Sequence, residues 1–191
     1  MNIYDPYPEE IILNGHTVRL DLRYDRVLRA LDIQEMDELL PEDKIELQCD
    51  LLLGPGERMP RTLQERCEFL NAVFSIFPKP EDDRPSEKYI DFHQDAAMIR
   101  TAFFRIGVDL LKDKIHFMQF LELLRDLPSD TALMRTIELR MRPLPEHNGH
   151  NDKQIAELIK AKQRVAIRIS EEERRSHFAS ALKNSTLLKG R

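Results

Sequence analysis

Two aspartates and a histidine, Asp91, His93 and Asp95, form the segment best suited to chemistry, because carboxylates beside an imidazole can transfer protons or bind a metal ion. The same spacing is also typical of a helix start. Asp91 is a good N-cap residue, Gln94 three positions later completes a capping box, and Asp95 lies in the first turn, where the helix dipole favours negative charge. A closed metal site needs more ligands than this segment supplies. We therefore interpret the segment as a helix cap and predict no metal ion there.

His147 and His150 are the second candidate site, and they lie in a segment without apolar spacing. Two histidines supply half of a zinc site, and Cys49 and Cys67 lack the paired spacing that would complete it. We interpret the histidines as residues of an exposed loop. Both cysteines fall in apolar helical stretches, so we predict that they are buried small hydrophobic residues and not reactive thiols.

The wider sequence has no catalytic pattern. It contains no glycine-rich phosphate loop, no nucleophile elbow and no HExxH motif, so we expect a protein that is not an enzyme and needs no cofactor. The two cysteines cannot form a disulfide framework, which favours a reduced, cytoplasmic setting. The acidic, proline-containing N-terminus predicts no secretory signal, and apolar runs of only a few residues predict no membrane span.

Charge is unevenly distributed along the chain. Residues 151–191 contain ten Lys or Arg and five Asp or Glu, a net charge of +5, whereas the whole chain has a net charge of −5, which leaves −10 for residues 1–150. This asymmetry predicts an acidic domain over residues 1–145 and a basic C-terminal arm over residues 146–191. General nucleic-acid binding is not expected, because it needs a concentrated positive surface.

The elements that must position these residues are mostly helices. Asn14-Gly15 between apolar stretches predicts a β-hairpin over Glu10 to Leu20, since both turn residues tolerate positive φ. Asp21 is the predicted N-cap of the first helix. Pro41, Thr62 with Glu65, and similar start and stop signals delimit the others. Those helices are predicted at about residues 41–53, 62–77, 91–106, 115–127, 131–141 and 151–168. Gly107 is the predicted C-cap of the helix at 91–106, Asn151 with Gln154 is the predicted cap of the last helix, and Ser170 with Glu173 repeats that capping signature. The fold class is mainly α: a compact helical domain with a small N-terminal β-hairpin and a C-terminal helical arm.

The apolar positions of these helices predict the core. Its members are Leu28, Leu52, Phe74, Ile99, Phe103, Phe120 and Leu124. The fifth predicted helix contains a Phe and Met stripe, and a stripe of this kind is more often core than an exposed groove.

The last predicted helix is amphipathic. Its apolar positions near one face are Ile155, Leu158, Ile159, Val165 and Ile169. An isolated helix of this length is marginal in water, so it needs an apolar partner. Two alternatives remain open: the helix packs back onto its own acidic domain, or it docks on another subunit or another protein.

A resemblance to a known family extends over roughly residues 10–168. The segments that carry it are Ile90–Ala96 (IDFHQDA), Gly107–Leu110 (GVDL), Ile115–Phe120 (IHFMQF), Leu127–Thr131 (LPSDT) and Pro143-Leu144-Pro145. In order and spacing they resemble the bacteriophage gene-product-fifteen family of tailed phages and prophages of Gram-positive bacteria. The family usually has a tryptophan pair where this chain has Phe117 and Met118, and the chain continues past the usual end of the family after Ser170.

The resemblance implies a role in tail morphogenesis in the bacterial host cytoplasm. Similar proteins are regarded as tail assembly chaperones that bind the long tape-measure protein and help to recruit tail-tube subunits. On this basis we assign partner binding to the apolar face of the last helix (Ile155, Leu158, Ile159, Val165 and Ile169) and to Phe117 and Met118, with homo-oligomerisation left open. Two alternatives remain: a structural tail or connector component of the virion, and a small nucleic-acid-binding regulator that uses residues 151–191.

Overall fold

The computed structural model describes residues 4–77 and 88–168. Within these ranges it contains one antiparallel β-hairpin and seven helices, which confirms the mainly α class. The elements are β1 (Glu10–Leu13), β2 (His16–Arg19), α1 (Tyr24–Gln34), α2 (Pro41–Leu52), α3 (Leu63–Phe74), α4 (Ala96–Arg105), α5 (Phe117–Arg125), α6 (Ala132–Met141) and α7 (Asp152–Val165). Ile169 and the capping signature of Ser170 with Glu173 lie outside the described residues.

The predicted hairpin is confirmed at its turn. Asn14 and Gly15 have φ values of 50° and 79°, the left-handed conformations that a two-residue turn requires. An isolated hairpin is marginally stable, and here α3 packs against β1. Gly54 is required beside the hairpin, because a Cβ at this position would lie 2.9 Å from the carbonyl carbon of Arg19.

The chain divides into two compact units. The first comprises residues 1–85 with 103–127, and the second comprises residues 86–102 with 128–191. The boundary that the charge pattern suggests, after residue 145, stays a prediction.

In the first unit, α2 packs against both α1 and α3, and α5 packs against α1. The ring of Phe120 is stacked between those of Tyr24 and Phe103, with centroid distances of 5.1 Å to each. The predicted core residues Leu52, Phe103, Phe120 and Leu124 are buried, which confirms their placement.

Two predicted core residues of the first unit, Leu28 and Phe74, are only half-buried. Their neighbours Val27 and Val73 are fully buried instead. Consecutive side chains point about 100° apart around a helix axis. A broad apolar stripe therefore does not determine which of two neighbouring residues lies at the centre of the buried face. The prediction was wrong at these two positions for that reason.

The second unit is built around α6 and α7, which pack against each other. Its buried apolar residues include Ile99, which was predicted as core, together with Ala102 and Leu133. Asp95 and Thr131 are also buried, and the Thr131 hydroxyl caps α6 by accepting a hydrogen bond from the Met134 N–H at 3.2 Å.

Two predicted N-caps are wrong. Asp21 does not cap α1; its carboxylate instead pairs with the guanidinium groups of Arg23 at 3.1 Å and Arg26 at 2.9 Å. Asn151 precedes α7, but its side-chain oxygen accepts from the Asn148 N–H instead of from the helix. In both cases a residue two to five positions away in the sequence offers the side chain a competing hydrogen bond.

Candidate partner-binding surfaces

Asp91 forms a cap, as expected, but the residue that accepts a hydrogen bond from the Asp91 N–H is not the predicted Gln94. The Asp91 carboxylate accepts hydrogen bonds from the backbone N–H groups of His93 at 3.0 Å and Gln94 at 2.8 Å. The return bond comes from Asp95, whose carboxylate accepts from the Asp91 N–H at 3.0 Å. The α-helix itself begins only at Ala96, five residues later than predicted. Gln94 therefore does not complete a capping box.

Asp95 has a second role that sequence reasoning missed. Its carboxylate is buried and forms two hydrogen bonds with the guanidinium group of Arg140, at 2.6 and 2.9 Å. Burial opposes the charged form, but the bonds from Arg140 and from the Asp91 N–H outweigh it and lower the pKa of Asp95 below its ordinary value. Since Arg140 lies 45 positions away in the sequence, no local pattern links the two residues.

Arg140 and Gln94 also fasten the C-terminal end of α7. The Arg140 Nε donates to the Val165 carbonyl at 2.6 Å. The Gln94 side chain donates to the Ala166 carbonyl and accepts from the Arg168 N–H, both at 2.9 Å. The last helix is therefore held by residues of the second unit at its end as well as by its contact with α6.

The apolar face of α7 is partly covered. Ile155, Leu158 and Val165 are half-buried, and Ile159 is 37% exposed. Packing of this helix on its own chain is confirmed by the contact with α6. Docking of the same face on another protein stays a prediction, and Ile169 lies outside the described residues.

The Phe117–Met118 pair lies at the start of α5. Phe117 is 6% exposed, and its ring meets that of Phe77 edge-on at a centroid distance of 5.2 Å. This confirms the interpretation of the stripe as core. Met118 is half-buried. Partner binding by this pair stays a prediction, although Phe117 offers little accessible surface.

His116 is an N-cap that sequence reasoning missed, because histidine is not among the usual capping residues. Its Nδ1 accepts a hydrogen bond from the Met118 N–H at 3.1 Å, and its Nε2 lies 3.1 Å from the Pro8 carbonyl oxygen. A neutral ring with its proton on Nε2 satisfies both contacts. The Tyr7 ring stacks on it at 5.0 Å and the Tyr7 hydroxyl donates to Glu122 at 2.6 Å. Burial lowers the pKa of His116.

The two cysteines and His147 are the remaining side chains to which sequence reasoning gave a possible chemical role. Cys49 is fully buried, and burial raises its pKa to about 11, which suppresses the thiolate. Cys67 is half-buried. His147 pairs with Asp152 at 2.6 Å on the surface. No group of three metal-ligating side chains is found among residues 4–77 and 88–168.

A groove between α1 and α2 is the second surface that sequence reasoning missed. It has a volume of about 310 Å³, and its lining residues are Arg29, Asp32, Ile33, Met36, Leu47, Asp50 and Leu51. Met36 and Leu47 are each 43% exposed. The surrounding segment, residues 29–51, contains eight acidic residues and two basic residues, Arg29 and Lys44. We call this feature the acidic groove.

Comparison with known proteins identifies a family. A family model described as "Bacteriophage Gp15 protein" matches residues 3–167, which confirms the resemblance found in the sequence. No curated protein and no solved structure gives a significant match. Within the described part of the chain, every helix is too short or too polar to cross a membrane.

Proposed function

The chain belongs to the Bacteriophage Gp15 protein family, and from this membership we propose that it acts in phage tail morphogenesis as a non-enzymatic tail assembly chaperone that binds the tape-measure protein. It acts in the cytoplasm of the bacterial host while the tail is assembled. It covers the tape-measure protein before the tail tube encloses it, and it helps to bring in tail-tube subunits.

The observation that carries this proposal is exposed apolar surface within an acidic surround. Leu31, Met36, Leu40 and Leu47 are large exposed apolar side chains of α1, α2 and the connection between them. A long amphipathic helical chain that has not yet been enclosed exposes apolar stripes, and such stripes aggregate unless a partner covers them. A small acidic protein supplies apolar contacts for the stripe together with net charge that keeps the complex soluble.

Helix α7 offers a second contact. Its exposed side combines Ile159 with the basic residues Lys153, Lys160 and Arg164. Amphipathic helices commonly pack their apolar side chains against a complementary groove or helix. In our proposal α7 keeps its contact with α6 and adds Ile159 to the surface that meets the tape-measure protein.

Co-expression tests the chaperone function. The tape-measure protein from the same phage or prophage genome is expressed alone and with this chain, and the soluble fraction and co-purification are measured. We expect an aggregated tape-measure protein alone and a soluble complex with the chain. Ile159→Asp should reduce the soluble fraction, whereas the control Leu144→Asp, at another exposed apolar residue, should not. A tape-measure protein that stays insoluble with the wild-type chain contradicts the proposal.

Mass spectrometry of purified phage particles separates this function from that of a virion component. A chaperone leaves before maturation, so the chain should be absent from particles and present in the lysate of infected or induced cells. Stoichiometric recovery of the chain in particles would favour a structural tail or connector role instead.

A further inference from the structure

We propose that the acidic groove is a docking site for a basic amphipathic helix of another protein. This inference rests on the proposed function and deepens it, because it names the surface that binds the partner and the charge that the partner's helix carries. The experiment below uses a synthetic helix, so it can fail or succeed independently of the chaperone function.

The shape of the groove suits a helix. On one side of the groove Ile33 of α1 and Met36, just after that helix, are the apolar lining residues, and on the other side Leu47 and Leu51 lie one helical turn apart on α2. Two apolar rows therefore border the groove, and a third helix can insert side chains spaced three and four residues apart between them. A volume of about 310 Å³ is at the low end for a small-molecule site, and the groove is open to solvent, which favours a few side chains over an enclosed ligand.

The charge around the groove selects a basic partner. Eight carboxylates, one guanidinium group and one ammonium group lie within residues 29–51, which gives this segment a net charge of −6, and the charged residues that line the groove itself are Asp32, Asp50 and Arg29. Lys44 donates a hydrogen bond from its Nζ to the Gln34 carbonyl oxygen at 3.0 Å, and Arg29 is the basic residue that lines the groove. Lys or Arg residues beside the apolar stripe of a bound helix would be attracted by these carboxylates, whereas acidic residues at the same positions would be repelled.

The occupant that these observations favour is not α7 of a second copy. That helix is basic and amphipathic, but Ile155, Leu158 and Val165 are half-buried, and α6 packs against the helix. Only Ile159 remains as a large exposed apolar side chain within α7. A helix with a full apolar stripe, from another protein, fits the two apolar rows better.

Two synthetic peptides of about 18 residues test the proposal with the full chain. Both carry Leu at positions i, i+3, i+4 and i+7; one has Lys at the flanking positions and the other has Glu. Binding is measured by titration calorimetry at low and high salt. We expect the Lys peptide to bind at least about tenfold more tightly than the Glu peptide and to weaken as salt is raised. Equal affinities for the two peptides, or no binding of the Lys peptide, would overturn the proposal.

Leu47→Glu and Leu63→Glu form a matched pair of variants. Both leucines are 43% exposed, but Leu47 lines the groove and Leu63 begins α3 outside it. We expect Leu47→Glu to weaken the Lys peptide about tenfold or more and Leu63→Glu to leave its affinity nearly unchanged, with similar melting temperatures for the two variants. Equal effects of the two substitutions would contradict the assignment to the groove.

A charge reversal serves as a second variant if Leu47→Glu fails to fold. Asp50 is exposed and lines the groove, so Asp50→Lys should weaken binding of the Lys peptide and strengthen binding of the Glu peptide.

Truncation after Arg168 should leave the affinity for the Lys peptide unchanged. Tighter binding after this truncation would assign the groove to residues 169–191, and a homodimer that Leu47→Glu dissociates would assign it to a second copy; either result overturns the proposal. If the groove variants lose the peptide but still solubilise the tape-measure protein, the groove is not the surface that binds the tape-measure protein, and that link to the proposed function is wrong while the chaperone function stands.

Discussion

Individual residues determine how the second unit is held together, and Asp95 and Arg140 are the most important of them. Both side chains are almost fully buried, and the guanidinium group also donates to the Tyr89 carbonyl at 2.7 Å. A buried ion pair contributes little compared with apolar residues of the same size, yet removing one partner leaves a buried charge without its counterion. The pair therefore makes the second unit depend on both residues at once.

We expect Arg140→Met or Asp95→Asn to lower the free energy of unfolding by about 3–5 kcal/mol. Unfolding in urea, followed by circular dichroism, measures the loss. The exposed pair of Arg19 and Glu57, at 2.9 Å, is the control, and Glu57→Gln should have a much smaller effect. A loss at Asp95 no greater than at Glu57 would show that the buried pair is not what holds the second unit.

At the scale of the elements, the sequence predicts what is local. The Asn14-Gly15 turn, the Thr62–Glu65 capping box and Gly107 all appear as expected, because each signal acts on backbone groups a few residues away. The Thr62 hydroxyl accepts from the Glu65 N–H at 3.2 Å, and Gly107 has φ 87° with the Val108 N–H bonded to the Phe103 carbonyl at 3.0 Å. The latter bond belongs to a Schellman motif.

Element starts that depend on distant partners could not be predicted in the same way. His116 caps α5 because the Pro8 carbonyl fixes its tautomer and Tyr7 covers its ring. These partners lie more than 100 positions away in the sequence. The candidate surfaces share this limit: apolar spacing predicts that a helix has an apolar face, but it does not tell which neighbour covers that face.

The cap at His116 predicts a pH dependence. The pKa of His116 is lowered from 6.5 in the folded chain, chiefly by burial, so below that pH the unfolded chain binds more protons than the folded chain. Stability should therefore fall as the pH drops through 6.5 towards the folded-state pKa. Protonation would also take away the Nδ1 lone pair that accepts from the Met118 N–H.

Thermal unfolding at about pH 7.5 and about pH 5.5 measures this effect. His116→Asn retains a side-chain acceptor for the cap and removes the titration. The wild-type melting temperature should fall more than that of the variant between the two pH values. If both fall equally, other groups account for the pH dependence.

At the scale of the whole molecule, the acidic part of the chain is also the part that contains the groove with exposed apolar side chains. Residues 1–150 carry a net charge of −10 and contain the acidic groove, whereas the basic excess lies after residue 151 and includes α7. Composition predicts the separation, but the groove is visible only in the structure, since apolar spacing along a helix does not show that Met36 and Leu47 are exposed. The family assignment came from motif order, which composition and periodicity alone do not provide.

Truncation after Pro145 tests how much α7 contributes to the stability of the folded chain. It removes the helix that packs on α6 and the Val165 carbonyl that accepts from Arg140 at 2.6 Å, so we expect a lower melting temperature. Truncation after Arg168 retains α7 and is the control with which the melting temperature of the shorter chain is compared.

The same truncated chains separate a packing role of α7 from a docking role. The melting temperature, the oligomeric state by analytical ultracentrifugation and the solubility of co-expressed tape-measure protein are measured together. If α7 only packs on α6, truncation after Pro145 destabilises a monomer, and the solubilising activity falls only as far as the folded fraction does. If α7 also contacts the partner, the solubilising activity falls further than the folded fraction does. Ile159→Asp should then cause the same additional loss of activity without lowering the melting temperature, because the Ile159 side chain is 37% exposed. If truncation changes none of the three properties, α7 is merely a solvated helix, and both roles are wrong.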